Sequence, residues 1–345
     1  MKLAVVLFNL GGPDSPEAVE PFLRNLFSDP AIISLPAIIR LPLAWWIARR
    51  RAPVARKIYE HIGGASPIFA ETRKQANALE NALSRDGVEA KAFVAMRCWH
   101  PFSDGAARAV KAFAPDEIVL LPLYPQYSTT TSASSLKDWG RAAKKAGLKA
   151  PTSQVCCYPY EPGFVAGMVA QIGKVADGPQ PGIAYRLLLS AHGLPKRTIA
   201  KGDPYQWQVE QSAAAVVKAL NRPELEAVVC YQSRVGPLEW IGPATDAEII
   251  RAGQDGKGVI LAPVAFVSEH SETLVELDIE YRKLAAEAGV PDYRRAATVG
   301  TQTAFINGLA GLVRRALGGK TVTCGPDGPN GGRICPAQLK RCGYN

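Results

Sequence analysis

Leu187–Pro195 reads LLLSAHGLP, and Val259–Tyr281 reads VILAPVAFVSEHSETLVELDIEY. Each begins as a run of apolar and β-branched residues, the pattern of a strand buried on both faces of a parallel sheet. Each then turns polar where a strand gives way to a loop. In open α/β sheets, ligands sit in the crevice at the carboxyl ends of the strands. His192 and the group Glu269, His270, Glu272 and Glu276 are therefore candidates for one shared cleft.

The second segment continues as an amphipathic helix. At roughly 100° per residue, Glu269, Glu272, Glu276 and Glu280 fall within about 80° of one another, and Leu274, Val275 and Leu277 lie away from them. An acidic stripe is usually a solvated face. This one starts at a strand end beside a histidine, where chemistry is usually placed. Asp278 breaks the apolar side and needs a hydrogen-bonding or cationic partner if buried.

Further strand-like runs occur at Leu3–Leu10, Ala90–Met96, Glu117–Tyr124, Gln154–Tyr158, Tyr185–Ser190 and Ala227–Gln232. Amphipathic stretches such as Ala70–Leu83, Gly105–Phe113, Gly163–Val175 and Gln206–Leu220 separate most of them. Strands alternating with helices predict parallel βαβ units, an α/β fold of two doubly wound domains. The turn-rich Asp177–Pro181 marks the break. The expected division is residues 1–176, then 177–300 carrying His192 and the acidic group, a closing helix over 301–320 placed to pack back on the first domain, and a Cys/Gly/Pro-rich tail over 321–345.

The bulk composition, 47% hydrophobic and 21% charged over 345 residues, is that of a globular chain of about two domains. A net charge of +9 favours an acidic ligand or a membrane surface. No aromatic-basic array points to nucleic acid. No targeting segment is evident, so a cytoplasmic protein is expected. The apolar stretch over 31–51, AIISLPAIIRLPLAWWIARRR, is broken by Pro36, Arg40 and Pro42 and is too interrupted to span a bilayer. Its aliphatics, Trp45, Trp46 and three arginines suit a peripheral contact with the inner face of a membrane, or the apolar lip of a pocket. A core helix with a basic end is the plainer alternative.

Seven cysteines are present. Cys98, Cys156, Cys157 and Cys230 lie in apolar runs and read as small buried hydrophobes. Cys324, Cys335 and Cys342 lie in a Gly/Pro-rich tail with no core of its own, which points to metal or iron–sulfur ligation more than to disulfides. Several strand ends carry polar turns. NLGGPDSPE follows the first strand, MRCWHPF offers Arg97 and Trp99, LYPQYSTTTSASS offers Tyr124, and YQSRVGPLEWIGP offers Arg234 and Trp240. Neither a dinucleotide fingerprint nor a Walker A pattern occurs. A cleft of Tyr, Trp, Arg and hydroxyls suits a flat, apolar ligand with carboxylate edges, stacked on aromatic faces and held by arginines.

These residues resemble the ferrochelatase family, which inserts ferrous iron into a porphyrin. The resemblance is carried by FNLGGP at Phe8–Pro13, IGGASP at Ile62–Pro67, MRCWHP at Met96–Pro101, LYPQYS at Leu123–Ser128, SAHGLP at Ser190–Pro195, YQSRVGP at Tyr231–Pro237 and FVSEHSETLVELDIEY at Phe266–Tyr281. The resemblance implies two Rossmann-like domains with the porphyrin cleft between them. It implies His192 and Glu272 as the pair that handles Fe2+, the metal substrate. It further implies an acidic track through Glu276 and Glu280, with Glu269 and His270 orienting the pair. Porphyrin contacts fall to Leu10, Arg97, Trp99, Tyr124, Trp240 and Phe266, and Ile32–Trp46 corresponds to a hydrophobic lip.

The substrates so implied are protoporphyrin IX and Fe2+, giving protohaem with loss of two protons. Ferrous iron accepts imidazole with carboxylate, and two protein ligands leave it free to pass on. His192 could equally take the pyrrole protons. The alternatives are a cobalt chelatase, a coproporphyrin enzyme or a porphyrin carrier without chemistry. Position 98 is Cys where many relatives carry Tyr, and Glu60 and His61 stand where animal members carry a basic pair. The tail resembles extensions that hold a [2Fe–2S] cluster, but its spacings of eleven and seven are not the compact animal pattern. The fourth animal ligand position holds Ser and Thr here, and Cys156 or Cys157 are the possible substitutes.

Overall fold

The structure, a computed structural model, describes residues 1–84, 87–234, 238–325 and 332–344. Val235, Gly236 and Pro237 of the YQSRVGP motif lie outside the described residues.

The first unit comprises Met1–Cys157, Leu309–Arg333 and Gly343–Asn345. Its sheet contains β1 (Lys2–Asn9), β2 (Glu89–Met96), β3 (Glu117–Pro122), β4 (Thr152–Cys157) and β9 (Thr321–Thr323), in the order β2-β1-β3-β4-β9. Every pairing is parallel. The central β1, KLAVVLFN, buries all but its first residue, as a strand covered on both faces must. Around it lie α1 (Val19–Phe27), α2 (Ala37–Glu60), α3 (Ile68–Leu83), α4 (Ser103–Phe113) and α5 (Ser132–Ala146). Phe8, Phe93, Val110, Ile118 and Trp139 form one of the cores between sheet and helices.

The second unit comprises Tyr158–Gly308 and Ile334–Cys342. Its sheet runs β6-β5-β7-β8, from β5 (Tyr185–His192), β6 (Glu226–Gln232), β7 (Gly258–Pro263) and β8 (Tyr293–Arg295), all parallel. Its helices include α6 (Pro162–Ala176), α7 (Lys196–Ala200), α8 (Tyr205–Leu220), α9 (Thr245–Gln254) and α10 (Tyr281–Glu287). Helix α11 (Thr303–Ala316) begins in this unit and ends in the first.

The units part at Cys157/Tyr158, ahead of the expected break at Asp177–Pro181. Helix α6 carries this difference. Phe164, Met168 and Ile172 are fully buried, and Gln171 donates to the Thr298 carbonyl at 2.9 Å, so the helix is packed into the second unit. A turn-rich sequence marks where the chain bends, not which core its neighbours join. The tail is likewise divided. Strand β9 extends the first sheet beside β4, and residues 334–342 belong to the second unit. Both β8 and β9 are three residues long, too short to show a period of two.

Candidate active site

Strand β7 stops at Pro263, and the chain runs through Val264–Ser271 into a nine-residue π-helix, Glu272–Glu280. The N–H of Tyr281 donates to the carbonyl of Glu276, five residues back. The sequence reading assumed an α phase here, so the widened helix is a correction. Such i→i+5 turns are rare and concentrate at functional sites. Thr273, Val275 and Leu277 point into the core, while Glu272 and Glu276 are half-buried and Glu280 is exposed. Asp278 finds its cationic partner in Arg295, whose Nε donates to Oδ1 at 2.9 Å.

His192 is the last residue of β5. Its Nδ1 lies 2.6 Å from the carbonyl of Gly193. A carbonyl oxygen only accepts, so Nδ1 carries a proton, and in the neutral imidazole Nε2 presents the lone pair. That Nε2 stands 3.8 Å from Oε1 of Glu272, with both side chains about one-third exposed. His270 approaches the other oxygen: its Nε2 is 3.5 Å from Glu272 Oε2, and its Nδ1 is 3.0 Å from the Ser268 carbonyl. Burial raises the Glu272 carboxyl, but the charge of His192 in its protonated form, with the hydrogen bond and charge of His270, outweighs it and holds the group at about 2. Burial lowers His270, and the hydrogen bond to Glu272 more than reverses this, leaving it raised. Glu272 is thus a firm anion facing an imidazole lone pair, a donor set for a borderline divalent cation.

Glu276 lies beside this pair but is not an open station on an acidic track. The N–H of Ser233 donates to its Oε1 at 2.9 Å, and the Ser233 hydroxyl donates to its Oε2 at 2.5 Å. Gln232 Nε2 donates to Oε2 at 3.0 Å, and the Tyr281 hydroxyl donates to Oε1 at 3.1 Å. Ser233 adopts φ of 59°, a left-handed conformation costly for a residue with a Cβ, and so aims both donors at one carboxylate. Burial and the charge of Glu272 still raise the Glu276 carboxyl above the usual carboxylate range. Glu269 points away from Glu272: it accepts from Arg295 Nη1 at 2.7 Å and from the Thr298 N–H at 2.9 Å. Burial raises its carboxyl and the Arg295 charge outweighs that, so it is lowered.

Two aromatic candidates adjoin the site. Phe266 packs edge-on to the His270 ring at 4.7 Å between centroids. Trp240 bridges to Pro195, three residues after His192. The Tyr205 hydroxyl donates to the His192 carbonyl at 3.0 Å, steadying the strand end from α8. Sequence reasoning passed over Gln232, Ser233, Tyr205 and Arg295. The first two stand in the YQSRVGP motif and were findable as the polar end of a strand. Tyr205 and Arg295 carry no sequence signal.

Leu10, Arg97, Trp99 and Tyr124 belong to the first unit, all partly buried at the carboxyl ends of β1, β2 and β3. Arg97 is not a bare cation. Its Nη2 pairs with buried Asp29 at 2.9 Å and its Nε donates to Ser134 at 2.7 Å. It edges a cavity of about 330 Å³ with Asn25, Phe102 and Arg141. Arg234 is engaged with Asp246 at 3.3 Å.

The tail thiols Cys324, Cys335 and Cys342 are buried, and Gln208 Nε2 donates to Cys335 Sγ at 3.1 Å. Among the described residues, no group of three or more His, Cys, Asp or Glu side chains is gathered so as to hold a metal ion.

Two open parallel sheets, with a histidine closing one strand and a carboxylate opening the segment after its neighbour, define an α/β protein of the chelatase class. The fold matches SirB of Bacillus subtilis in its Fe3+ form, with a TM-score of 0.54 at 14% identity, covering 92% of this chain and 96% of that one. The cobalt complex of the same sirohydrochlorin chelatase gives 0.54 at 12%. The family model for Ferrochelatase matches residues 2–317. The ferrochelatase of Caulobacter vibrioides is 57% identical over 322 residues, 92% of this chain and 91% of the relative. That of Phenylobacterium zucineum is 55% identical over 348 residues, covering 99% and 98%. The chain belongs to the ferrochelatase family, enzymes that insert ferrous iron into a porphyrin to make haem.

Proposed function

We propose that this chain inserts Fe2+ into protoporphyrin IX at the His192–Glu272 pair. The observation that carries this is the lone-pair Nε2 of His192 lying 3.8 Å from the Glu272 carboxylate, with the imidazole tautomer set by the Gly193 carbonyl. Fe2+ takes Nε2 and a carboxylate oxygen, and water fills the remaining positions. Two protein ligands hold the ion without trapping it.

Insertion exchanges two pyrrole N–H protons for one divalent ion. Each nitrogen keeps the electron pair of its N–H bond and donates it to iron. The roles of ligand and base follow one another on His192: once iron passes to the macrocycle, Nε2 is free to accept one proton. The other proton leaves to solvent water. Glu272 stays ionised throughout and serves as the metal's counter-charge.

The preference for the less polar macrocycle is supported by the apolar face of α2, where Ile38, Ile39, Leu41, Trp45 and Trp46 are exposed. Arg49 and Arg50 stack on Trp45 and Trp46 at 5.5 and 5.0 Å from the ring centroids. Among the described residues no helix is long and apolar enough to cross a membrane. A peripheral seat on the cytoplasmic face of an anionic membrane fits this surface. A [2Fe–2S] cluster on Cys324, Cys335 and Cys342 is supported by the burial of three thiols alone. The visible spectrum of anaerobically purified protein tests it, and a colourless, fully active sample rules it out.

The test of the function is anaerobic incubation with protoporphyrin IX and Fe2+, followed at the haem Soret band. Haem formation supports the proposal. Porphyrin binding without haem formation overturns it.

A further inference from the structure

Arg295 ends β8 and lies outside every motif in the sequence. Its side chain is 9% exposed, and its donors go to two carboxylates. Nη1 donates to Glu269 Oε1 at 2.7 Å. Nε donates to Asp278 Oδ1 at 2.9 Å, and Nη2 donates to Asp278 Oδ2. Glu269 precedes the π-helix and Asp278 lies near its end. One cation therefore holds both ends of the segment that presents Glu272 and Glu276. The cation is itself fixed by the sheet, because Arg295 is the register partner of Leu261 in β7, the strand that leads into this segment.

A ladder widened to i→i+5 is rare and needs support from outside itself. Tyr293 adds a second strut from the same strand, its hydroxyl donating to the Leu277 carbonyl at 2.7 Å.

We propose that Arg295 is a positioning residue for metal insertion: by clamping Glu269 and Asp278 it keeps the helix widened and sets the reach of Glu272 toward His192. The proposal rests on the reading of His192 and Glu272 as the iron site. It requires the planar fork of a guanidinium, because a lysine ammonium cannot meet both oxygens of Asp278 and also Glu269 in one plane.

The experiment is anaerobic steady-state kinetics on the full chain, varying Fe2+ and protoporphyrin IX separately, for Arg295→Lys, Arg295→Gln and Glu272→Gln. Arg295→Lys is expected to raise KM for Fe2+ by about 10- to 100-fold, the usual effect of removing a partner that orients a metal ligand. KM for porphyrin should stay within about twofold, and Arg295→Gln should be at least as impaired. An unchanged iron KM in Arg295→Lys overturns the clamp, and so does an equal rise in both KM values, which marks a merely structural role. If the Arg295 variants fail to fold, Asp278→Asn breaks the same clamp from the helix side and is judged by the same two constants. Impaired Glu272→Gln beside normal Arg295→Lys overturns the clamp alone. An unchanged iron KM in Glu272→Gln overturns the iron-site reading itself.

Discussion

His192 and Gln232 are register partners at the carboxyl ends of β5 and β6, and the Gln232 carbonyl accepts the N–H of Gly193 at 2.8 Å. The Gln232 amide then reaches across to the π-helix, donating to the Glu272 carbonyl at 3.3 Å and to Glu276 Oε2 at 3.0 Å. Its own oxygen accepts from Ser190 at 2.8 Å. One buried amide thus ties the strand end bearing the imidazole to the helix bearing the carboxylates. Replacing it with Leu leaves the Ser190 hydroxyl with only the Thr245 hydroxyl at 3.0 Å and Glu276 short of a donor. Gln232→Leu is expected to lower stability by about 1–3 kcal/mol, read from urea unfolding. A loss within about 0.5 kcal/mol would show that the tie is dispensable.

His192→Ala should reduce haem formation by about 10³-fold or more, since it removes both a metal ligand and a base. Porphyrin affinity, followed by fluorescence quenching, should change by no more than about threefold. Equal loss of binding and turnover would make His192 a structural residue.

The apolar face of α2 makes a separate prediction. Replacing Trp45 and Trp46 together by Ala removes two exposed aromatic anchors, each worth about 1.5–3 kcal/mol if fully buried. Sedimentation with anionic vesicles should show a partition coefficient lower by about tenfold or more. Equal partition of the parent and variant chains would remove this surface from membrane contact.

Away from the site, Arg186 is fully buried and pairs with Glu226 at 2.8 Å and with Asp255 at 2.7 Å. Hydrogen bonds from Arg186 and Lys257 hold the Glu226 carboxyl at about 2, below its ordinary 4.5. The folded value lies below the unfolded one. The pairing therefore stabilises the protein above pH 4.5 and fades as the pH falls toward about 2. In Glu226→Gln the melting temperature should fall less steeply over that window than in the parent. Parallel curves would mean the pair contributes nothing measurable.

The amino-acid order alone was enough for two parallel sheets and for the placing of His192 at a strand end, while Glu272 was singled out from its acidic neighbours by the family resemblance. Buried parallel strands announce themselves as unbroken apolar runs, and β1, β5 and β7 do so within a residue or two at their starts. Only the tertiary structure decided that Glu272–Glu280 is a π-helix, that Glu276 is enclosed by four donors, that Glu269 turns to Arg295 and that Arg97 already has Asp29. Periodicity records which side of an element is buried. The hydrogen-bond register of a helix and the partner of a charge depend on groups far along the chain, such as Gln232 and Arg295, that become neighbours of the acidic segment only when the sheet is assembled.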